Sequence, residues 1–318
     1  MRLLMLGTGP FAVPTFQALY ETHHTVAALV TGPVRMHRGR PVAPISSIRD
    51  VAQRHSTPIF DPEDVNDDSS RARLAEFGAD LLVVCDYGRI LSPATLAVAR
   101  RGGVNLHASL LPKYRGAAPI AWALWHGDAT TGVTVIHITP ELDAGPCIAQ
   151  QVVPIEPDET AAELEPRLAE LGARLVCETI DRMESGRIET LPQDPTLASR
   201  APKLKKTDGV IDWTREAAAI KNQVRALDPW PKTYTYWRRS DGEPVRLILG
   251  PLAVVELPGS NVEPGTVVEA SGNRLVIAAG RGGVMPRSVQ PAGKRAMSVE
   301  EFLRGHRVRP GDPFLDLS

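Results

Sequence analysis

Short apolar runs alternate with stretches of helical spacing through the first 190 residues. Residues 2–6 predict a strand, 11–20 a helix and 25–30 a second, β-branched strand, and strand–helix–strand is the opening of a parallel α/β sheet. The pattern continues with a helix at 45–54, a strand at 80–84, a short helix after Ser92-Pro93 and a strand at 103–106. Longer strands follow at 132–138 and 148–155. A long helix at 160–185 then carries Leu164, Leu168, Leu171, Leu175 and Ile180 along one side. The strands are continuous apolar runs, as a sheet covered on both faces requires. Residues 191–206 hold Pro192, Pro195 and Pro202 without periodicity, which is linker composition. Beyond it, 211–227 reads as a helix. Short β-type runs at 233–237, 245–249, 266–270 and 274–279, separated by Asp-Gly, Pro-Gly and Ser-Gly turns, predict a small antiparallel barrel. The expected division is a first domain at 1–190, a linker at 191–206 and a second domain at 207–318.

Composition narrows the class. With 43% hydrophobic and 23% charged residues the chain is an ordinary globular protein. Its apolar runs at 81–85 and 133–138 are far short of the ~20 residues that cross a bilayer. The first run stops at Gly7-Thr8-Gly9 with no small-residue cleavage site, so it is read as a strand and not a signal peptide. Cys85, Cys147 and Cys177 are odd in number and lack a C-x-x-C pair, which suggests neither a disulfide framework nor a zinc site. The expected compartment is the cytoplasm. His23, His24, His37, His55, His126, His137 and His306 show no metal-ligand spacing. They are read as packing or surface residues, and no metal is expected.

Charge is balanced in total but not in distribution: residues 1–199 hold 17 Lys+Arg against 24 Asp+Glu, and residues 200–318 hold 19 against 13. A basic island at 31–54 carries Arg35, Arg38, Arg40, Arg49 and Arg54 against Asp50 alone. Clustered cations suit a polyanion, because they release counterions from phosphates. An unevenly charged solvated surface explains the same numbers.

Two stretches carry candidate chemistry. Gly7-Thr8-Gly9-Pro10-Phe11-Ala12 satisfies G-x-G-x-x-[GA] after a strand, but the second strand ends Leu29-Val30-Thr31-Gly32 without the carboxylate a dinucleotide site needs. A structural turn, or contact with another ligand, is the better reading. At the end of the 103–106 strand, Asn105 and His107 are two residues apart and project to one side, where an α/β sheet opens its ligand crevice. An amide and an imidazole on one face can hold an oxyanion and move a proton, although a lone Asn-x-His is also a common strand-end hydrogen-bond pair. The run that follows, through Pro119, is too irregular for helix or strand, as a ligand-shaped loop would be. Leu142-Asp143-Ala144-Gly145 follows another strand, and Asp143 could orient His107 or raise its basicity. Asp before a glycine turn is also a common turn former. Ser109 lacks the glycine context of a nucleophile elbow. Asn, His and Asp without a placed nucleophile favour direct attack by a substrate amine over a covalent enzyme intermediate.

At these residues the chain resembles the folate-dependent formyltransferases. The resemblance rests on Asn105-x-His107-x-Ser109-Leu110-Leu111-Pro112, then Arg115-Gly116-Ala117-Ala118-Pro119-Ile120, then Leu142-Asp143-x-Gly145. Asp208-Gly209-x-Ile211-Asp212-Trp213, Asn222-x-x-Arg225-Ala226, Pro229-Trp230-Pro231 and the run from Gln290 to Met297 are similar to the second domain of the tRNA-directed members. The resemblance implies a Rossmann-like domain binding 10-formyltetrahydrofolate and a C-terminal OB-like β-barrel domain gripping tRNA. The chain would act as a monomer and formylate the α-amino group of initiator methionyl-tRNA. Asn105 would hold the formyl oxygen, and His107, supported by Asp143, would stabilise that charge or relay a proton. Ser109, Leu110, Leu111 and Pro112 would line the folate site, and Tyr87, Gly88, Ile90 and Leu91 would border the pterin pocket. Arg35, Arg38 and Arg40, with Lys203, Lys205, Lys206, Lys294 and Arg295, are the candidates for tRNA contact, which gives the charge map a coherent reading.

The chain departs from the family pattern at three places. The arginine loop lacks the usual Asp-Arg-Pro and Gly-Arg-Gly. Asp86 stands where relatives usually have a small apolar residue before Tyr-Gly. Gly9-Pro10 replaces the more usual pair after the first strand. The nearest rival function transfers the same group to an amino-sugar nucleotide, and a folate- or tRNA-binding module without catalysis is the rival of a different class.

Overall fold

The computed structural model describes residues 1–318 except 35, 38–39, 42–46, 239–242, 258–261 and 317–318, and at 36–37 and 40–41 it describes the backbone alone. Two compact units are present: residues 1–119, 130–154 and 164–202 form the first, and 120–129, 155–163 and 203–318 the second.

The first unit is built on a seven-stranded sheet in the order Ile59–Phe60, Thr25–Val30, Arg2–Leu6, Leu81–Cys85, Gly103–His107, Thr130–His137, Cys147–Pro154. The first five strands are parallel. The opening strands are thus parallel as expected, and the last two, whose direction the sequence pattern did not specify, are antiparallel and make the sheet mixed. The reason is visible in the burial of Cys147–Pro154, which leaves Gln151 and Val152 exposed. An antiparallel edge needs covering on one face only and is reached by a short loop, whereas a parallel strand needs a crossover. That loop, 138–146, carries Asp143.

The central strands behave as their composition demands: Leu3 to Leu6 and Leu81 to Cys85 are buried throughout. Between Arg2–Leu6 and Leu81–Cys85 the chain order reverses, which opens a crevice at their C-terminal ends, at the Gly7 turn and the Asp86 loop. The long helix, Ala161–Glu184, buries all five expected apolar residues. Two helices escaped the sequence pattern: Asp68–Glu76 buries only Ser70 and Leu74, and Pro119–His126 is too uniformly apolar to show a period.

In the second unit the strands Tyr234–Trp237, Val245–Leu249, Val267–Ser271 and Arg274–Ala278 appear as expected, and five more join them. One sheet runs in the order Met297–Ser298, Ser288–Pro291, Val245–Leu249, Tyr234–Trp237, Phe314–Leu315, and the other Leu252–Val255, Gly283–Pro286, Arg274–Ala278, Val267–Ser271. The sheets share bent strands, because Gly250 N donates to Ser288 O and Arg287 N to Pro251 O at the two corners, each at 2.9 Å. Val267 N to Asp312 O (2.9 Å) and Arg238 N to Pro313 O (3.0 Å) close the circuit into an OB-like barrel. Its core includes Trp213, Ile220, Trp237, Leu247, Ile277 and Phe302.

One expected element is shorter than predicted. The helix read at 211–227 spans only Ala217–Ala226. The preceding residues pair instead with the barrel: Ile211 N donates to Tyr234 O (3.0 Å), and Asp212 Oδ1 accepts from Thr214 N (3.0 Å) in a turn. The apolar spacing of Ile211 and Trp213 reflects burial in the barrel core, not a helix face.

Candidate active site

The strand Gly103–His107 alternates its side chains, so Asn105, half-buried, and His107, buried, share one face. The 138–146 loop brings Asp143 to both. Asn105 Nδ2 lies 3.4 Å from Asp143 Oδ1 as donor, and His107 Nδ1 lies 3.7 Å from Asp143 Oδ2. Asp143 Oδ2 also accepts from Gly116 N at 2.9 Å. His107 Nε2 lies 2.8 Å from the Tyr114 carbonyl. A carbonyl only accepts, so in this bond Nε2 carries the hydrogen. Nδ1, facing the carboxylate, is then the nitrogen whose protonation can change.

Two residues of this constellation sit in the left-handed backbone region: Tyr114 at φ +65° and Asp143 at φ +50°. An aspartate tolerates that conformation, but for a bulky tyrosine it is an outlier and stores strain. Tyr114 is pinned at both ends, by His107 on its carbonyl and by Ser199 Oγ accepting from its N–H at 2.9 Å. Gly116 has φ +127°, and a Cβ there would meet the Ala201 carbonyl oxygen at 2.5 Å. Only glycine lets the loop close on Asp143.

The rest of the loop is shaped from below. Thr134 Oγ1 donates to Ser109 O (2.6 Å), Leu111 N donates to Thr134 Oγ1 (3.2 Å), and Gln150 Nε2 donates to Leu111 O (3.0 Å). Ser109 is fully buried and its hydroxyl donates to Lys113 O at 2.6 Å; Leu111 is also buried. Leu110 and Pro112 are half-buried. The Ser109 hydroxyl is thus bound within the loop.

The segment read as linker contributes groups that the sequence did not reveal. Gln193 Nε2 donates to Asp143 O (2.8 Å) and Gly145 O (2.7 Å), while its Oε1 accepts from Arg115 Nη2 (2.7 Å). Arg115 N donates to Ser199 O (2.8 Å) and Ala201 N to Arg115 O (2.7 Å). Residues 193–201 therefore tie the Asp143 loop to the Arg115 loop. An amide and a hydroxyl in a proline-rich stretch carry no periodic signal that would have identified them.

Beside this, Asp86 to Leu91 leave the end of Leu81–Cys85. Tyr87 is buried and its hydroxyl has no hydrogen-bond partner among the described residues; Leu91 is buried, Gly88 is exposed at φ +72° and Ile90 is 61% exposed. Asp86 itself has φ +47°, and its carbonyl accepts from Thr8 N (3.0 Å), Thr8 Oγ1 (2.7 Å) and Gly9 N (3.4 Å). Its carboxyl lies against Gly9, where a Cβ would stand 1.7 Å from Asp86 Oδ2. Two departures from the family pattern, Gly9 and Asp86, are one packing solution. Asp86 keeps an exposed edge, but the protein around it, and secondarily Glu165, push its carboxyl up to about 6.

Among the basic candidates, Lys203, Lys205, Lys206 and Lys294 are exposed, and Arg295 Nη2 donates to Glu301 Oε1 at 2.9 Å. Arg35 and Arg38 lie outside the described residues, as does the Arg40 side chain. No described helix is long and apolar enough to cross a membrane.

Two family models match the chain: Formyl transferase over residues 1–180, and Formyl transferase, C-terminal domain, over residues 203–307. The chain belongs to the formyl transferase family. It is a transferase, and its full-length relatives agree. The methionyl-tRNA formyltransferase of Rhodopirellula baltica is 41% identical over 328 residues, covering 99% of this chain and 97% of that one. The methionyl-tRNA formyltransferase of Moorella thermoacetica is 41% identical over 313 residues, covering 98% of each. Among solved structures, the N-formyltransferase from Helicobacter canadensis in complex with folinic acid and dTDP-3-aminofucose superposes with a TM-score of 0.65 at 18% identity, covering 91% of this chain and 98% of that one. At that identity the likeness shows the formyl transferase fold alone.

Proposed function

We propose that the protein transfers the formyl group of 10-formyltetrahydrofolate to the α-amino group of initiator methionyl-tRNA, as a monomer in the cytoplasm. The observation that carries this reading is the 41% identity to methionyl-tRNA formyltransferases over almost the whole chain, with Asn105, His107 and Asp143 meeting at one point. Tyr87, Gly88, Ile90 and Leu91, which follow the end of Leu81–Cys85, would border the donor's pterin ring, and Leu110 and Pro112 would face the folate with Ser109 and Leu111 shaping the loop. The division near 191–206 separates the donor-binding domain from the one that grips tRNA.

The reaction needs three things from the chain. The amine attacks the formyl carbon, and the carbonyl oxygen takes up negative charge; Asn105, with one N–H directed to Asp143, turns its other N–H to that oxygen. The attacking amine loses a proton and the departing folate nitrogen gains one. His107, whose Nε2 donates to the Tyr114 carbonyl, passes that proton through Nδ1. Asp143 fixes both side chains and stabilises the imidazolium. Lys203, Lys205, Lys206, Lys294 and Arg295, together with Arg35, Arg38 and Arg40, hold backbone phosphates without reading sequence.

The test is incubation with 10-formyltetrahydrofolate and charged initiator methionyl-tRNA, following tetrahydrofolate release and N-formylmethionine after ester hydrolysis. Formylation of that tRNA, with little on charged elongator tRNA, is the expected result. Folate turnover with an amino-sugar nucleotide but none with tRNA would overturn the acceptor and leave the donor reading standing.

A further inference from the structure

We propose that His23, His24 and Asp181, on the first unit and outside the catalytic constellation, form a binding site for a transition-metal dication of the zinc class. The sequence gives no hint of it, because the two histidines precede the second strand and Asp181 lies 157 residues on, in the last turns of Ala161–Glu184. Folding brings one nitrogen of each ring and a carboxylate oxygen within 4.8 Å of one another.

The separations suit a metal. Bonds of about 2.05 Å in tetrahedral geometry put ligand atoms about 3.3 Å apart. His24 Nε2 is 3.0 Å and His23 Nδ1 3.8 Å from Asp181 Oδ1, values that bracket this edge and need shifts of about half an ångström. The support around the ligands also has the required form. His23 offers Nδ1 toward Asp181 while its Nε2 lies 2.6 Å from Glu184 Oε2, the carboxylate-to-imidazole bond that orients metal-bound histidines. Asp181 and Glu184 are three residues apart on one helix and therefore face the same side. The His24 side chain is fully buried, with Nδ1 2.9 Å from the Met1 nitrogen; for Nε2 to take the ion, Nδ1 carries the ring hydrogen and donates it to the Met1 amine, which releases its own proton to solvent. His23 and Asp181 are 62% and 53% exposed, which gives the ion an entry path and leaves a fourth position for water.

The experiment uses the untagged full-length protein and cobalt(II), whose visible absorption reports tetrahedral nitrogen and oxygen ligation, followed by displacement with zinc. The expected result is one equivalent bound, with affinity reduced at least tenfold in His23→Ala and in Asp181→Asn. Glu184→Gln, which weakens the bond to His23 Nε2 and the ion pair with the Met1 nitrogen but removes no ligand, is expected to weaken binding less. Both principal substitutions are at exposed side chains, and thermal melting checks that the variants fold. Absence of saturable cobalt or zinc binding to the wild-type protein at micromolar concentrations would overturn the proposal. So would binding that is indifferent to both substitutions. Neither outcome bears on formyl transfer, so the two readings fail separately.

Discussion

Gly9 and Asp86 pack so closely that one added methyl group tests their contact. A methyl group added at Gly9 would stand 1.7 Å from Asp86 Oδ2, 2.7 Å from Cγ and 3.3 Å from Oδ1, where ordinary contact begins near 3.4 Å. The backbone of Gly9 is not left-handed, so Gly9→Ala imposes no dihedral strain; the entire cost lies in displacing the carboxyl. The obstacle is the end of a side chain, which can rotate. Rotation forces Asp86 off its rotamer while three hydrogen bonds hold its carbonyl, at a cost of about 0.5–1.5 kcal/mol, rising toward ~3 if the Thr8 turn shifts. For a domain of this size each kcal/mol lowers Tm by roughly 2–4 °C. Gly9→Ala is therefore expected to lower the first unit's melting temperature by about 1–6 °C, and by up to about 12 °C if the Thr8 turn shifts. In the Asp86→Ala background the same substitution is expected to be nearly neutral, because the obstructing atoms are gone. The assay is calorimetry on the wild type, both single variants and the double variant. Effects that add within about 0.5 kcal/mol would refute the packing argument, since residues in contact must couple.

Four further outcomes are expected. Because Asp86 titrates near 6 in the fold against an ordinary 3.8, the folded state binds more protons across that window and stability falls as pH rises through it; Asp86→Asn should melt above wild type at pH 7.5, with the gap closing by pH 4, in melts run across that range. Asn105→Ala should lower turnover by roughly 10²–10³ while tRNA binding persists, which unchanged turnover would disprove. Gln193→Ala removes the amide bridging Asp143, Gly145 and Arg115, and should reduce kcat by roughly 10- to 100-fold with the protein still folded, measured under saturating substrates. Each of Lys205→Ala and Lys294→Ala should reduce the slope of log affinity against log salt for tRNA by about 1 if the lysine meets a phosphate.

Periodic segments were readable because burial on a regular element writes itself into spacing. The strands of the first sheet and the five apolar positions of Ala161–Glu184 are of this kind. Asp68–Glu76 left no trace because only two of its residues are buried, and the helix before Ala226 was read too long because barrel-facing Ile211 and Trp213 mimic a helix face. In the site, Asn105, His107 and Asp143 were legible as residue types in motifs. Their supports were not: Tyr114 offers a backbone carbonyl, Gly116 an N–H, and Ser199 reaches Tyr114 from 85 residues away.

The order of residues set what each segment could be: which runs are buried, where turns fall, and that an amide, an imidazole and a carboxylate were available without a nucleophile. Those are local consequences of side-chain chemistry and period. Which groups meet was settled by folding. The antiparallel edge carries Asp143 onto the Asn105 face, residues 193–201 lock two loops together, and the Asp86 carboxyl fills the space that Gly9 leaves. Such contacts join residues far apart in the chain, and their spacing in sequence carries no information because closure of the intervening chain depends on packing of the whole unit.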